Sequence, residues 1–192
     1  MNDAFTTVIF VRHAQSLHPF PDERLRPLTE QGTADRQLVC GTLCGRHIDA
    51  FFSSPYKRSV NTILPLAEKL GMEINTDERF RERTNGPASS QTLEKRWEDF
   101  SFAEEGGESL GAVQERNIEA LNAILDAYAG KTVVIGTHGT ALSTILNYYD
   151  PGFGIESYRK ISYLMPYIVE FTFDGRRCAG KKVLSYTDRS GS

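Results

Sequence analysis

The sequence has few thiols, no excess of positive charge and no long apolar run. Cysteine occurs only at Cys40, Cys44 and Cys178. A small, odd set gives no basis for a disulfide framework and fits a reduced, cytoplasmic setting. Cys40 and Cys44 stand four apart, on one face of an expected helix, where core packing is their ordinary use. The net charge of -3 supplies no basic surplus to neutralise a run of phosphates, so nucleic acid is not an expected partner. No segment approaches the ~20 apolar residues that span a bilayer, and no membrane association is expected. The first residues lack a basic stretch followed by an apolar one, so no secretory leader is expected either.

What is present is ordinary for a water-soluble domain: 192 residues, 40% apolar and 24% charged. That length suits one domain, residues 1–192, with a sizeable core. Apolar, β-branched runs at Thr6–Val11, Ile48–Ser53 and "KTVVIG" read as buried strands, and Met72–Thr76 as a weak one. Thr29 caps a predicted helix over "TEQGTADRQLVCGTLCGR". "SSPYKRSVNTILPLAEKLG" predicts a second helix, with a Ser cap, Gly71 at its stop and a kink or break at Pro65. A short helix carrying Trp97, a longer one from Glu108 to Gly130, and one over Thr140–Tyr148 follow. "VEFTFDGRRC" predicts an Asp-Gly hairpin, and the tail after Tyr186 is expected to be loose. Strands alternating with helices predict an α/β fold, a three-layer α/β/α sandwich with a mostly parallel central sheet. Residues 77–106 are polar and poorly periodic, and read as a lid or insertion.

Two of the strands end in histidine. "VIFVRHA" delivers Arg12 and His13, and "VVIGTHG" delivers His138. Sites in α/β sheets form outside the carboxyl ends of strands, so the two rings can meet there. Arg58 falls in the first turns of the helix after the second strand, near the same sheet edge; alone it would read as a solvated helix arginine. His18 and His47 have no spacing typical of zinc ligands and read as surface or packing residues.

Taken together, these segments resemble the histidine phosphatase superfamily, which includes the phosphoglycerate mutases. Arg12-His13-Ala14 resembles its Arg-His-Gly motif. "PLTEQG" (Pro27 to Gly32), "IDAFFSSPYKRSVNT" with Arg58, "DERFRE" with Glu82, "GGES" and "VVIGTHG" are similar to further family segments, in order, from Val8 to about Leu142. The resemblance implies a phosphatase that needs no metal or other cofactor. His13 attacks phosphorus through a neutral ring nitrogen and forms a phosphohistidine, which water then hydrolyses. Arg12, Arg58 and His138 hold the phosphoryl oxygens, with Gln15 and the amides of Gly139 and Thr140 as further contacts. Glu82 is the implied proton donor, and later the base for water. Glu78 lies in the same stretch, and the surrounding arginines can pair with either carboxylate.

The departures matter. Ala14 stands where the family has glycine. Pro19 stands where its mutases usually carry Asn, and the 77–106 segment is brief. Both favour hydrolysis over mutase transfer. A mutase, and a phospho-ligand-binding domain without turnover, stand as alternatives. A small phosphorylated metabolite is the expected partner, a phosphoprotein the second choice, and the oligomeric state is open. Arg24, Arg26, Arg79, Arg81 and Arg83 can meet a second anionic group on the substrate or pair with neighbouring acids. Phe20, Phe80 and Trp97 can form an apolar wall or pack the lid.

Overall fold

A computed structural model describes residues 5–87 and 90–191. One six-stranded sheet, in the order β3-β2-β4-β1-β5-β6, runs through the molecule. Its strands are β1 (Thr6–Arg12), β2 (Ala50–Ser53), β3 (Ile74–Thr76), β4 (Thr132–Thr137), β5 (Leu164–Asp174) and β6 (Arg177–Asp188). The pairs β3-β2, β2-β4 and β4-β1 are parallel, whereas β5 and β6 join as an antiparallel hairpin. Among the described residues six α-helices accompany them: α1 (Glu30–Leu43), α2 (Lys57–Lys69), α3 (Ser90–Glu98), α4 (Leu110–Ala127), α5 (Gly139–Tyr149) and α6 (Ile155–Ile161).

The strand period of two divides the core into two layers. Val8 and Phe10 of β1 join Val133 and Ile135 under α4 and α5, through Leu121, Leu142 and Ile145. Ile9 and Val11 face the other way and meet Val39 and Leu43 of α1 and Ile63 and Leu66 of α2. The expected three-layer arrangement follows from this alternation. The helix after β1 lies on one face and the helix after β4 on the other. The adjacent carboxyl ends of β1 and β4 therefore form the switch point at which α/β sheets open a crevice.

Several local expectations hold and others change. Thr29 caps α1, its hydroxyl accepting the Gly32 amide at 2.9 Å. Helix α2 starts later than predicted, with Tyr56 at its cap and no side-chain cap bond. It also runs through Pro65 without a break. The Asn61 carbonyl, which has no N–H to meet at position 65, accepts from the Arg36 guanidinium at 3.5 Å. The hairpin loop is Gly175-Arg176, because Asp174 pairs with Arg177. Only Gly175 of the two has positive φ, at 57°, as a type II′ turn requires and an Asp-Gly type I′ turn does not. The tail is not loose at Tyr186: β6 continues to Asp188, and Arg189 pairs with Asp35 of α1. Helix α6 was not foreseen.

The polar segment after β3 is ordered by buried ion pairs. Glu104 takes Arg83 at 2.6 Å and Arg96 at 2.5 Å, and Glu108 takes Arg81 and Arg116, each at 2.8 Å. Phe80 is fully buried in the core beside α4, while Trp97 stacks among Phe100, Phe153 and Tyr158. No described helix is long and apolar enough to cross a membrane.

Candidate active site

Strand register brings the site together. Arg12 pairs with Thr137 across β1 and β4, and Ser53 with Gly136 across β2 and β4. One residue further on, the ladder continues as His13 N–H to Thr137 O and Ser54 N–H to Gly136 O, both at 3.0 Å. His13, His138 and Ser54 thus leave three neighbouring strands at one level. The rings of His13 and His138 lie 5.3 Å apart, edge to face.

The proton position on the His13 ring follows from its partner. His13 Nδ1 is 2.7 Å from the Ala14 carbonyl, which can only accept. Nδ1 therefore carries the hydrogen, and Nε2 keeps its lone pair. Arg58 Nε donates to that Nε2 at 3.2 Å. Ser54 Oγ accepts the Tyr56 amide and lies 2.7 Å from His138 Nε2. The Ser54 hydroxyl can give its proton to that nitrogen, and in that tautomer the Nδ1 of His138, which has no partner among the described residues, is a buried N–H donor. Both rings are held neutral. Burial is the largest cause and pushes each pKa well below the usual histidine value, and the charge of Arg58 pushes the same way.

Arg58 is completely buried. Its NH1 donates to the Glu23 carbonyl at 2.6 Å, and its plane stacks 5.0 Å from the Tyr56 ring centroid. Burial lowers its pKa to about 10, which still leaves the cation intact at neutral pH. Thr62, one turn along α2, ties this helix to β1: its hydroxyl accepts the Ala14 amide at 3.0 Å and donates to the Arg58 carbonyl at 2.7 Å. Ala14 thus keeps a fixed backbone path despite its methyl. Arg12 comes from the other side. Its NH1 donates to the carbonyls of Ile161 and Leu164, at 2.7 and 3.2 Å, while its buried Nε has no partner among the described residues. The guanidinium lies flat on Gly139, where an added Cβ would sit 3.1 Å from its carbon.

Glu82 reaches the N-terminus of α5. Its oxygens accept the amides of Thr140 at 3.1 Å and Ala141 at 3.0 Å, and that of Arg83 at 2.9 Å. The Thr140 amide, expected to face a bound anion, is thus taken by Glu82 in this state. Arg116 secures the approach by donating to the carbonyls of Arg79 at 2.6 Å, Arg81 at 2.8 Å and Glu82 at 3.3 Å. Glu78 lies elsewhere, in an exposed ion pair with Arg24. Gln15 turns toward α1, its side-chain oxygen accepting from Thr29 Oγ at 2.8 Å. His47 is exposed beside Asp49. Among the described residues no three His, Cys, Asp or Glu side chains form a metal-ligand group.

Sequence reasoning missed the roles of Ser54 and Thr62. Ser54 looked like a helix cap, and only the register of β2 against β4 shows that it faces His138. Thr62 carries no motif, although its place four residues after Arg58 puts both on one helix face.

Comparison with known proteins shows the family. The profile of the histidine phosphatase superfamily (branch 1) matches residues 8–184, and the chain belongs to that family. As such it is a phosphoric monoester hydrolase of the histidine phosphatase class. Phosphoserine phosphatase 1 of Hydrogenobacter thermophilus is 33% identical over 147 residues, which cover 68% of this chain and 70% of the relative. A probable phosphoglycerate mutase of Yersinia pestis is 28% identical over 156 residues, covering 73% of each chain. The structure of a mycobacterial glucosyl-3-phosphoglycerate phosphatase shares the fold, with a TM-score of 0.73 at 17% identity over 96% of this chain and 99% of that one.

Proposed function

We propose that the site hydrolyses a phosphomonoester with His13 as nucleophile. The observation that carries this reading is the fixed tautomer of His13, with Nδ1–H on the Ala14 carbonyl and the Nε2 lone pair facing Arg58. Nε2 attacks phosphorus, the P–O bond to the leaving group breaks, and the alkoxide takes a proton from Glu82. Water then attacks the phosphohistidine and gives its proton back to Glu82. The N–P bond breaks, and inorganic phosphate and the original ring are restored.

Arg12, Arg58 and His138 Nδ1–H surround the place where charge spreads over the phosphoryl oxygens. Arg58 Nε passes from His13 to a phosphoryl oxygen when substrate arrives, which frees the lone pair. Gly139 lets Arg12 lie close, and Gln15 braces the loop through α1. Glu82 is the assigned acid rather than Glu78, because it alone of the two reaches the histidine end of α5.

The chain works as a single domain, with residues 77–106 as one wall of the entrance, and acts on a small phosphorylated metabolite. Phosphoserine phosphatase among its relatives supports a compact substrate bearing a carboxylate. Three free thiols support a cytoplasmic setting. Hydrolysis of an aryl phosphate in the presence of a chelator tests the reading, followed by a panel of natural phosphoesters. Release of phosphate supports it, and complete inactivity across the panel contradicts it.

A further inference from the structure

Of the five arginines that the 17–27 loop and the segment after β3 carry, four are engaged away from the histidines. Arg24 pairs with Glu78, Arg79 with Asp77 and Glu119, Arg81 with Glu108, and Arg83 with Glu104. Arg26 differs. Its side chain is largely buried, its Nε has no partner among the described residues, and its NH1 lies 3.1 Å from Glu23 Oε1. The other oxygen of the same carboxylate lies 3.4 Å from Arg58 NH2, too poorly aligned to bond, so this buried nitrogen is also left without a hydrogen bond. Glu23 is thus wedged between two cations, one of which holds the nucleophile.

We infer that Arg26 is a third arginine of the anion site, and that the Glu23 carboxylate is a built-in stand-in that gives way to the substrate's phosphoryl group. The inference rests on the phosphatase reading above. The exposure of the three groups argues for it. Glu23 is 54% exposed and can swing into water, whereas Arg58 is fully buried and Arg26 is nearly so. Once Glu23 leaves, the two guanidiniums face a common space without a counter-ion, and a tetrahedral dianion satisfies both. The backbone on either side stays in place: the Glu23 carbonyl is held by Arg58, and the Arg24 carbonyl accepts the Lys57 amide at 2.9 Å. Only the side chain has to move. The charge of Arg26 is already felt in the site. After burial, the largest cause, it is among the charges that lower the pKa of Arg58, His13 and His138.

The decisive experiment is calorimetric binding of inorganic phosphate, which needs no turnover. Glu23→Gln is expected to bind phosphate roughly three- to tenfold more tightly than wild type, the size of one or two partly exposed ion pairs. Glu78→Gln removes the same charge from a nearby exposed pair and should stay within about twofold. Arg26→Gln should bind roughly tenfold more weakly, with partial recovery in Arg26→Lys. Equal or weaker binding by Glu23→Gln overturns the inference, as does equal tightening in Glu78→Gln or unchanged affinity in Arg26→Gln. If wild type hydrolyses phosphoesters and Glu23→Gln gains no affinity, only this inference fails. If wild type hydrolyses nothing and the affinities move as expected, only the phosphatase reading fails.

Discussion

Arg58 Nε donates to His13 Nε2 at 3.2 Å, so one fully buried cation fixes the direction in which that lone pair points. The same guanidinium reaches the Glu23 carbonyl through NH1. Lysine keeps the charge but carries its donors on a single nitrogen, without the planar fork that spans both acceptors. Arg58→Lys is expected to lower kcat/KM by roughly 100-fold or more, the usual loss when one well-placed donor is removed. Steady-state kinetics on an aryl phosphate measure this, with a thermal melt to confirm folding. Near wild-type kinetics would remove Arg58 from the reacting centre.

His13 and His138 should remain neutral where ordinary histidines begin to protonate. Their folded pKa values lie below the unfolded value of ~6.5, so the unfolded chain binds more protons in between. Their contribution to stability is complete above ~6.5 and declines as pH falls from there toward the folded values. Ring signals in nitrogen NMR check the charge directly. At about pH 6 both rings should still show the neutral pattern; protonation of His13 there contradicts the tautomer argument.

Glu82, the proposed proton donor, is held by the amides of α5 and by Arg116 through its backbone. A good leaving group needs little help from an acid. Glu82→Gln should therefore lose roughly 100-fold or more on alkyl phosphates and far less on a nitrophenyl phosphate. Comparing kcat across leaving groups tests this, and an equal loss on every ester would assign Glu82 a purely structural role.

Much of this arrangement was legible in the sequence, for a physical reason. Strand-end positions are set by strand register, and β-rich apolar runs announce themselves, so Arg12, His13 and His138 could be placed from "VIFVRHA" and "VVIGTHG". Arg58 was visible as a position but not as a fully buried side chain, because burial depends on Tyr56 and on the 17–27 loop folding over it. The anchors of Arg12 lie at Ile161 and Leu164, about 150 residues away in the unforeseen α6–β5 region, and no local pattern points to them. Residues 77–106 read as a polar lid or insertion because charge usually means solvent. Here Glu104 and Glu108 pair across the chain and bury that charge.

Those buried pairs set the acid limit. For both Glu104 and Glu108 burial alone raises the carboxyl pKa, but the arginine hydrogen bonds outweigh it and bring each to about 2. Stability from such a group is complete above the unfolded value of ~4.3 and is lost as pH falls toward 2, on the order of 3 kcal/mol for each group. Unfolding followed by circular dichroism should show this loss. Glu104→Gln leaves Arg83 and Arg96 buried without their partner and should cost about 3–5 kcal/mol at neutral pH. A variant as stable as wild type would contradict the account of how this segment is ordered.

The central claim is that phosphorus becomes bonded to His13, and rapid-quench trapping of the phosphoenzyme tests it most directly. During turnover of a phosphomonoester, wild type should carry an acid-labile, base-stable phosphate that peptide mass spectrometry places on His13, and His13→Ala should carry none. A label that persists in His13→Ala, or hydrolysis at an undiminished rate in that variant, would contradict the account.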